Sequence, residues 1–390
     1  MRGIGKNVVI LSLVSLFNDI SSEIIYPLLP IFITSVLGAS TITLGLIEGV
    51  AESTASLLKL LSGYLSDRFH RRKPIVFLGY LVSNISRPLM GVAGFAYQVG
   101  IFRFMDRVGK GVRTAPRDAL LSASADKEKL GRAFGLQRAF DHLGAVAGPL
   151  IAMALLSLGF SLRNIFFIAA IPGAIVIILL FNVEERVGSI VRKVAFGRVD
   201  SNFLRFLIIM FIFTLGNSSD AFLILRATTI GIPITMIPVL WVMLHVVKSI
   251  SSMPAGILSD RIDRRYVIAI GWVVYGLVYT GLALAERPLH ILLLFIVYGL
   301  YFGLTEGVER AFVADLVPEE KRATGYGLYH LAIGIGALPA SILFGIFWRV
   351  YGPSFAFFVG SGLAFLASIL LLFGVRSSHF TKENPTGHPR

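Results

Sequence analysis

FRFMDRVGKGVRTAPRD, residues 102–118, stands where a membrane-spanning segment belongs, yet it carries Arg103, Asp106, Arg107, Lys110, Arg113, Arg117 and Asp118. At 100° per residue these charges fall within an arc of roughly 140°, with Phe102, Phe104, Met105, Val108, Val112 and Leu120 on the other faces. One side of such a helix is ionic and the other apolar. An ionisable side chain at the bilayer centre costs about 2.5–3.5 kcal/mol on insertion scales. The stripe therefore needs partners or a wet interior, and the stretch reads as a helix lining a polar cavity inside a membrane bundle.

Composition agrees with that reading. The 390 residues are 55% hydrophobic and 15% charged, with a mean hydropathy of +0.77, too apolar for an ordinary soluble domain. A span and its connection use about 25–35 residues, so the length allows roughly twelve helices. The absence of cysteine rules out a disulfide framework, a thiol nucleophile and a Cys-based metal site. A net charge of +13 invites a nucleic-acid reading, but the basic residues gather in particular loops, the bias that orients membrane helices. No nucleic-acid partner is expected. The first apolar segment runs past signal-peptide length and contains Asp19 and Glu23, so it is expected to remain as a span.

Working outward along the chain, apolar runs place spans near 8–34, 44–66, 74–94, 97–121, 132–157, 163–182, 203–226, 235–258, 266–285, 289–313, 323–349 and 353–374. Arg68, Arg71, Arg72 and Lys73, then Lys127, Lys129 and Arg132, then Arg186, Arg192, Lys193 and Arg198, and finally Arg261, Arg264 and Arg265 occupy alternate loops, while the opposite loops hold little beyond Arg163 and Arg287. Positive-inside bias puts the basic loops and both termini in the cytoplasm of a plasma-membrane protein. The expected organisation is a six-helix bundle over 1–182, a cytoplasmic linker over 183–202, a second six-helix bundle over 203–376 and a cytoplasmic tail over 377–390.

An internal repeat supports the two halves. GYLSDRFHRR at 63–72 returns as GILSDRIDRR at 256–265, an offset of 193 with three differences, and KLGRAFGL at 129–136 answers KRATGYGL at 321–328. Two units of one design joined head to tail imply a pseudo-twofold axis along the membrane normal. In each unit the first and fourth spans are the polar ones. The candidate cavity residues are Asp19 and Glu23 in span 1, Arg103, Asp106, Arg107 and Lys110 in span 4, Asn217 and Asp220 in span 7, and Glu306, Glu309 and Arg310 in span 10.

These features resemble the Major Facilitator Superfamily of secondary transporters, over nearly the whole chain. The loop Gly63-Tyr64-Leu65-Ser66-Asp67-Arg68-Phe69-His70-Arg71-Arg72 is similar to that family's signature between helices 2 and 3, with His70 where glycine is usual. Gly256, Asp260 and Arg261 belong to its second copy. The resemblance implies an all-α membrane fold of twelve spans and a gating role for Gly63, Asp67, Arg68, Arg71, Gly256, Asp260 and Arg261. Phe140, Gly144, Gly148, Pro149 and Ile151 resemble the motif associated with antiporters, although Ala152 and Met153 replace its closing glycines. Arg103 matches the buried arginine of the family's fourth-helix motif, while Asp106 and Arg107 depart from it and leave the subfamily unassigned.

The residues carry physical readings beside the resemblance. Asp67 at the end of span 2 suits pairing with a basic helix end. Asp19 and Glu23 either neutralise the span 4 arginines permanently or exchange a proton during transport. Glu48, Glu52 and Lys59 share one face of span 2 and read as a structural charge network. Span 4 holds more cations than anions and so wants carboxylates from elsewhere or an anionic ligand, for which guanidinium is suited. Gly144 and Gly148 permit close helix contact, and Pro149 adds a kink. His142, His245 and His330 read as packing residues before proton relays. P-loop, HExxH, GxSxG and metal-spaced His/Cys patterns are absent, so no enzyme and no cofactor are expected.

The leading expectation is a monomeric secondary transporter driven by an ion gradient, with protons coupled to antiport, hence efflux, of a small organic or amphipathic solute by alternating access. The alternatives are a proton-coupled symporter or exchanger of an anionic solute, and a non-transporting receptor or assembly subunit. Paired charges across four helices argue against the last, since an inert bundle gains nothing from their insertion cost.

Overall fold

The computed structural model describes residues 5–69, 72–124, 130–185, 200–317 and 322–376, with backbone alone at 60, 63–69, 130–132, 135, 260, 314 and 322–324. Among the described residues the chain is helical throughout, in fifteen α-segments. They are α1 Lys6–Ile25, α2 Leu29–Ile31, α3 Thr41–Phe69, α4 Lys73–Leu89, α5 Ala96–Ala123, α6 Leu130–Ser157, α7 Leu162–Ile168, α8 Ala170–Phe181, α9 Ser201–Gly216, α10 Ala221–Thr229, α11 Ile237–Arg261, α12 Arg264–Leu284, α13 Pro288–Leu316, α14 Arg322–Tyr351 and α15 Pro353–Gly374. The Asp67 and Arg68 side chains, Arg71 and the Asp260 side chain lie outside the described residues, as do most of the 183–202 linker and the 377–390 tail.

Ten helical stretches among the described residues are long and apolar enough to cross a membrane. The two remaining long helices are α3, with 29 residues, and α5, with 28. At 1.5 Å per residue each is about 40 Å long, enough for a hydrocarbon core of about 30 Å. What sets them apart is charge: α3 carries Glu48, Glu52 and Lys59, and α5 carries the ionic stripe. Large apolar side chains such as Leu78, Ile85, Phe181, Ile250 and Phe373 lie exposed, which in a membrane protein is the lipid-facing surface.

Both first helices of the two repeat units are interrupted. Pro27 and Pro30 lack a backbone donor, and after Ile25 the chain continues as a 3₁₀ turn Tyr26–Leu28, the single turn α2 and a π turn Phe32–Val36. In the second unit, α9 stops at Gly216 and α10 starts at Ala221. The intervening Asn217, Ser218, Ser219 and Asp220 have side chains that compete for backbone hydrogen bonds. Tyrosine hydroxyls close the gap: Tyr275 donates to the Gly216 carbonyl at 3.1 Å, and Ser218 Oγ pairs with Tyr279 Oη at 3.2 Å. Discontinuous helices are tolerated in a bilayer where protein or a cavity covers the freed backbone.

α1 packs on α6 and α8, α5 on α3 and α4, α11 on α13, and α12 on α13 and α15, while α3–α14 and α6–α11 join the two repeat units. Glycine sets two of these approaches. A Cβ on Gly144 would lie 2.6 Å from the Leu16 carbonyl oxygen, and one on Gly148 would lie 2.8 Å from Glu23 Cβ, so α6 brings α1 to backbone contact beside Asp19 and Glu23. Along the α3–α14 seam, Thr41 Oγ1 donates to the Gly345 carbonyl at 3.0 Å and Ser53 Oγ to the Gly334 carbonyl at 2.6 Å.

Candidate functional site

The ionic face of α5 is met by α3 and α4. Arg103 Nε and Nη2 donate to Glu48 Oε1 and Oε2 at 3.0 and 2.9 Å, a bidentate fork. One turn on, Arg107 Nη2 lies 3.3 Å from Glu52 Oε1. Both pairs repeat at four residues, so two helices running in the same direction present matching ladders. Asp106, between them, takes Arg87 Nε of α4 at 3.0 Å and Arg103 Nη1 at 3.5 Å. Arg87 Nη1 also donates to the Asn18 carbonyl, Asn18 Oδ1 and Asn84 Oδ1, each at 3.1 Å. Glu48, Arg87, Arg103 and Asp106 are no more than 4% exposed, so this is a dry network in which every charge has an opposite in contact. Carboxylates of α3 take up two of the span 4 cations, Arg103 and Arg107, and so reduce the cationic excess without cancelling it.

Nearer the cytoplasmic end expected from the loop charges, the same face changes role. Arg113 donates to Ser83 Oγ at 2.5 Å and lies over the Tyr80 ring at 4.6 Å. Arg117 pairs with its neighbour Asp118 at 2.8 Å. Lys110 makes no hydrogen bond or ion pair through its ammonium with any described residue, although it acts electrostatically on Asp19, Glu23 and Glu52.

Four acids differ from the paired set. Asp19 accepts from Asn18 Nδ2 at 3.0 Å, and Glu23 from Trp241 Nε1 at 2.8 Å, across the two repeat units. Asp220 accepts from the Tyr298 hydroxyl at 2.6 Å. Glu309 accepts from Trp272 Nε1 at 2.9 Å and from the Tyr329 hydroxyl at 2.6 Å. Among the described residues none of these four has a cation within 4.0 Å. They are held by neutral donors alone.

The other candidates fall around them. Glu306 is paired with Lys248 at 2.7 Å and with Arg310 at 3.3 Å, both partly exposed. Asn217 donates weakly to Tyr301 Oη at 3.4 Å and accepts from Tyr275 at 3.3 Å. Gly63 lies in the backbone of α3 and Gly256 in α11, where it faces open space. Arg261 is the last residue of α11 and exposed. Pro149 sits inside α6 one residue after Gly148.

Sequence reasoning did not name Arg87, Trp241 or Tyr298, whereas Tyr26 falls on the polar face of span 1 with Ser12, Ser15, Asp19, Ser22 and Glu23. Arg87 was visible as an arginine inside an apolar run, a functional signal by itself. Tyr26 lies 5.0 Å below the Arg103 guanidinium and 5.1 Å from the Trp241 ring. Trp241 also stands edge-on to His245 at 5.6 Å. Trp241 and Tyr298 carried no signal, because an aromatic in an apolar helix has the same pattern whether it packs or receives a ligand.

A bundle of apolar helices, with interrupted first helices in each repeat and acids inside the membrane-spanning segments, is the architecture of a membrane transporter. The Major Facilitator Superfamily profile matches residues 11–244 and 202–390, and the chain belongs to that superfamily as a multi-pass membrane transporter. It is 39% identical to an uncharacterized MFS-type transporter of Methanocaldococcus jannaschii over 383 residues, covering 95% of this chain and 96% of the relative. It is 21% identical to the cis,cis-muconate transport protein of Acinetobacter baylyi, covering 88% of this chain and 86% of that one. Among solved structures, the nucleoside transporter NupG superposes with a TM-score of 0.77 at 14% identity, covering 94% and 98% of the two chains. A D-xylose-proton symporter superposes with 0.78 at 15% identity, covering 95% and 98%. These two share the fold.

Proposed function

We propose that the chain is a proton-coupled antiporter of the plasma membrane that moves a small organic or amphipathic solute outward by alternating access. The observation that carries this reading is the division of the acids within the membrane-spanning segments into two sets. Glu48, Glu52 and Asp106 are paired with arginines, whereas among the described residues Asp19, Glu23, Asp220 and Glu309 have only neutral donors. A carboxylate without a cation can take up and give back a proton without breaking an ion pair. Glu23 and Asp220 also sit at the two helix interruptions, the places where broken helices put substrate and coupling-ion sites. Because Glu23 reaches Trp241 of the other repeat unit, its hydrogen bond forms or breaks as the halves rock.

In this proposal α3 and α5 complete twelve spans, in two six-helix bundles over 1–182 and 203–376 related by a pseudo-twofold axis, and the protein works as a monomer without a cofactor. The 183–202 linker, the 377–390 tail and both termini are cytoplasmic. The α3–α14 seam from Thr41 to Ser53 then closes the outer side of the cavity. The duplicated loop, with Asp67, Arg68 and Arg71 answered by Asp260 and Arg261, gates the inner side. A cysteine placed at Lys382 is expected to resist an impermeant thiol reagent added to intact cells; ready labelling reverses the orientation.

A second reading, symport or exchange of an anionic solute, is favoured by Lys110, which has no ion partner among the described residues, and by the similarity to a muconate transporter. The neutralisation of Arg103 and Arg107 by α3 weighs against it. Counterflow of labelled solutes in proteoliposomes separates the readings: an imposed pH gradient is expected to drive solute against the proton movement. Flux in the same direction as the protons supports symport, and no flux of any solute leaves a receptor.

A further inference from the structure

α1 and α5 carry charges of both signs that stop short of each other. No carboxylate oxygen of a described residue comes within 4.0 Å of the Lys110 ammonium, yet Lys110 acts electrostatically on both Asp19 and Glu23. Aromatic faces lie beside them. Tyr26 and Trp241 stand 5.1 Å apart at 46°, and Arg103 and Arg107 lie against the Tyr26 ring at 5.0 and 5.9 Å. Arg103 is held by the Glu48 fork and Arg107 lies 3.3 Å from Glu52, so both have a carboxylate beside them where Lys110 has none among the described residues. His245, edge-on to Trp241 at 5.6 Å, has both ring nitrogens buried without a hydrogen-bond partner among the described residues. A buried imidazole with neither nitrogen satisfied is costly and needs a group from elsewhere.

We infer that these side chains bind a small amphipathic zwitterion, its carboxylate on Lys110, its ammonium between Asp19 and Glu23, its flat apolar body against Tyr26 and Trp241, and a polar atom on His245. The argument is one of complement. A purely cationic ligand satisfies the acids and leaves Lys110 desolvated and unpaired, and a purely anionic one does the reverse. A zwitterion pairs both and replaces the water each charge loses on closure. Trp241 belongs to the second repeat unit while Tyr26, Lys110 and the acids belong to the first, so the ligand contacts both sides of the moving interface. The inference deepens the transport proposal and rests on its placement of the cavity.

The test measures binding without a gradient, so a failure of proton coupling leaves it intact. Full-length protein in detergent is titrated with phenylalanine, tyrosine and tryptophan, with their decarboxylated amines, and with their deaminated acids, by thermal shift and calorimetry. Within at least one of the three series the zwitterion is expected to bind about tenfold to a hundredfold more tightly than either partner compound, the range for one charge-assisted contact. Lys110→Gln should remove the advantage over the amine, and Glu23→Gln the advantage over the acid, each with an unliganded melting temperature near that of the parent. Tighter binding of the amines, tighter binding of the acids, or no binding in all three series overturns the inference. So does a preference that both variants retain, or one that both lose together through a lowered melting temperature.

Discussion

Arg103→Leu is expected to lower the folding stability by about 3–5 kcal/mol, the cost of removing one member of a buried pair. The substitution strands Glu48, which is 2% exposed, without the bidentate fork at 3.0 and 2.9 Å, and it takes from Asp106 one of its two closest guanidinium groups. The double variant Arg103→Leu with Glu48→Leu removes both charges and should recover most of the loss, since well-packed apolar replacements of buried pairs are often neutral. Melting temperature in detergent and the monodisperse yield report both. A single variant as stable as the parent means the network is solvated in the membrane. A double variant as poor as the single means that Arg103 acts chiefly through Asp106 or Tyr26.

The second large effect concerns coupling. Asp19→Asn, Glu23→Gln and Asp220→Asn each keep an oxygen acceptor for the neutral donor now in place, Asn18, Trp241 and Tyr298 respectively. Folding and insertion are therefore expected to survive. Accumulation driven by a pH gradient should fall to the level seen without one, whereas gradient-free exchange persists for at least one variant, most directly Asp220→Asn. Transport and exchange measured together over roughly pH 5.5–8.5 cover the range where a buried carboxylate titrates. Equal loss of both activities in all three variants reassigns the acids to structure or to substrate alone.

Much of this was legible in the sequence, and the physical reason differs from part to part. The apolar runs, the basic loops and the repeated GYLSDRFHRR and GILSDRIDRR are one-dimensional signals, and they led to the superfamily. The polar faces of the first and fourth spans were visible from helical spacing. The choice of partners was not. Asp19 and Glu23 lay open as counter-ions for the arginines of span 4, but the structure gives that role to Glu48 and Glu52, whose four-residue spacing matches that of Arg103 and Arg107. That complementarity is readable only when α3 is known to lie beside α5. Trp241 and Tyr298 are further from reach, because their N–H and O–H groups find an acid only through contacts between helices distant in the chain. The gate residues Asp67 and Arg71 stay with the resemblance that suggested them.

Proton release on ligand binding tests the central claim most directly. Purified protein in weakly buffered detergent solution receives a solute that it transports, and a pH-sensitive dye follows the protons. Antiport through acids without cation partners predicts that binding expels protons, with release diminished in Glu23→Gln and Asp220→Asn. Proton uptake on binding, or no proton movement for a solute that binds and is transported, contradicts it.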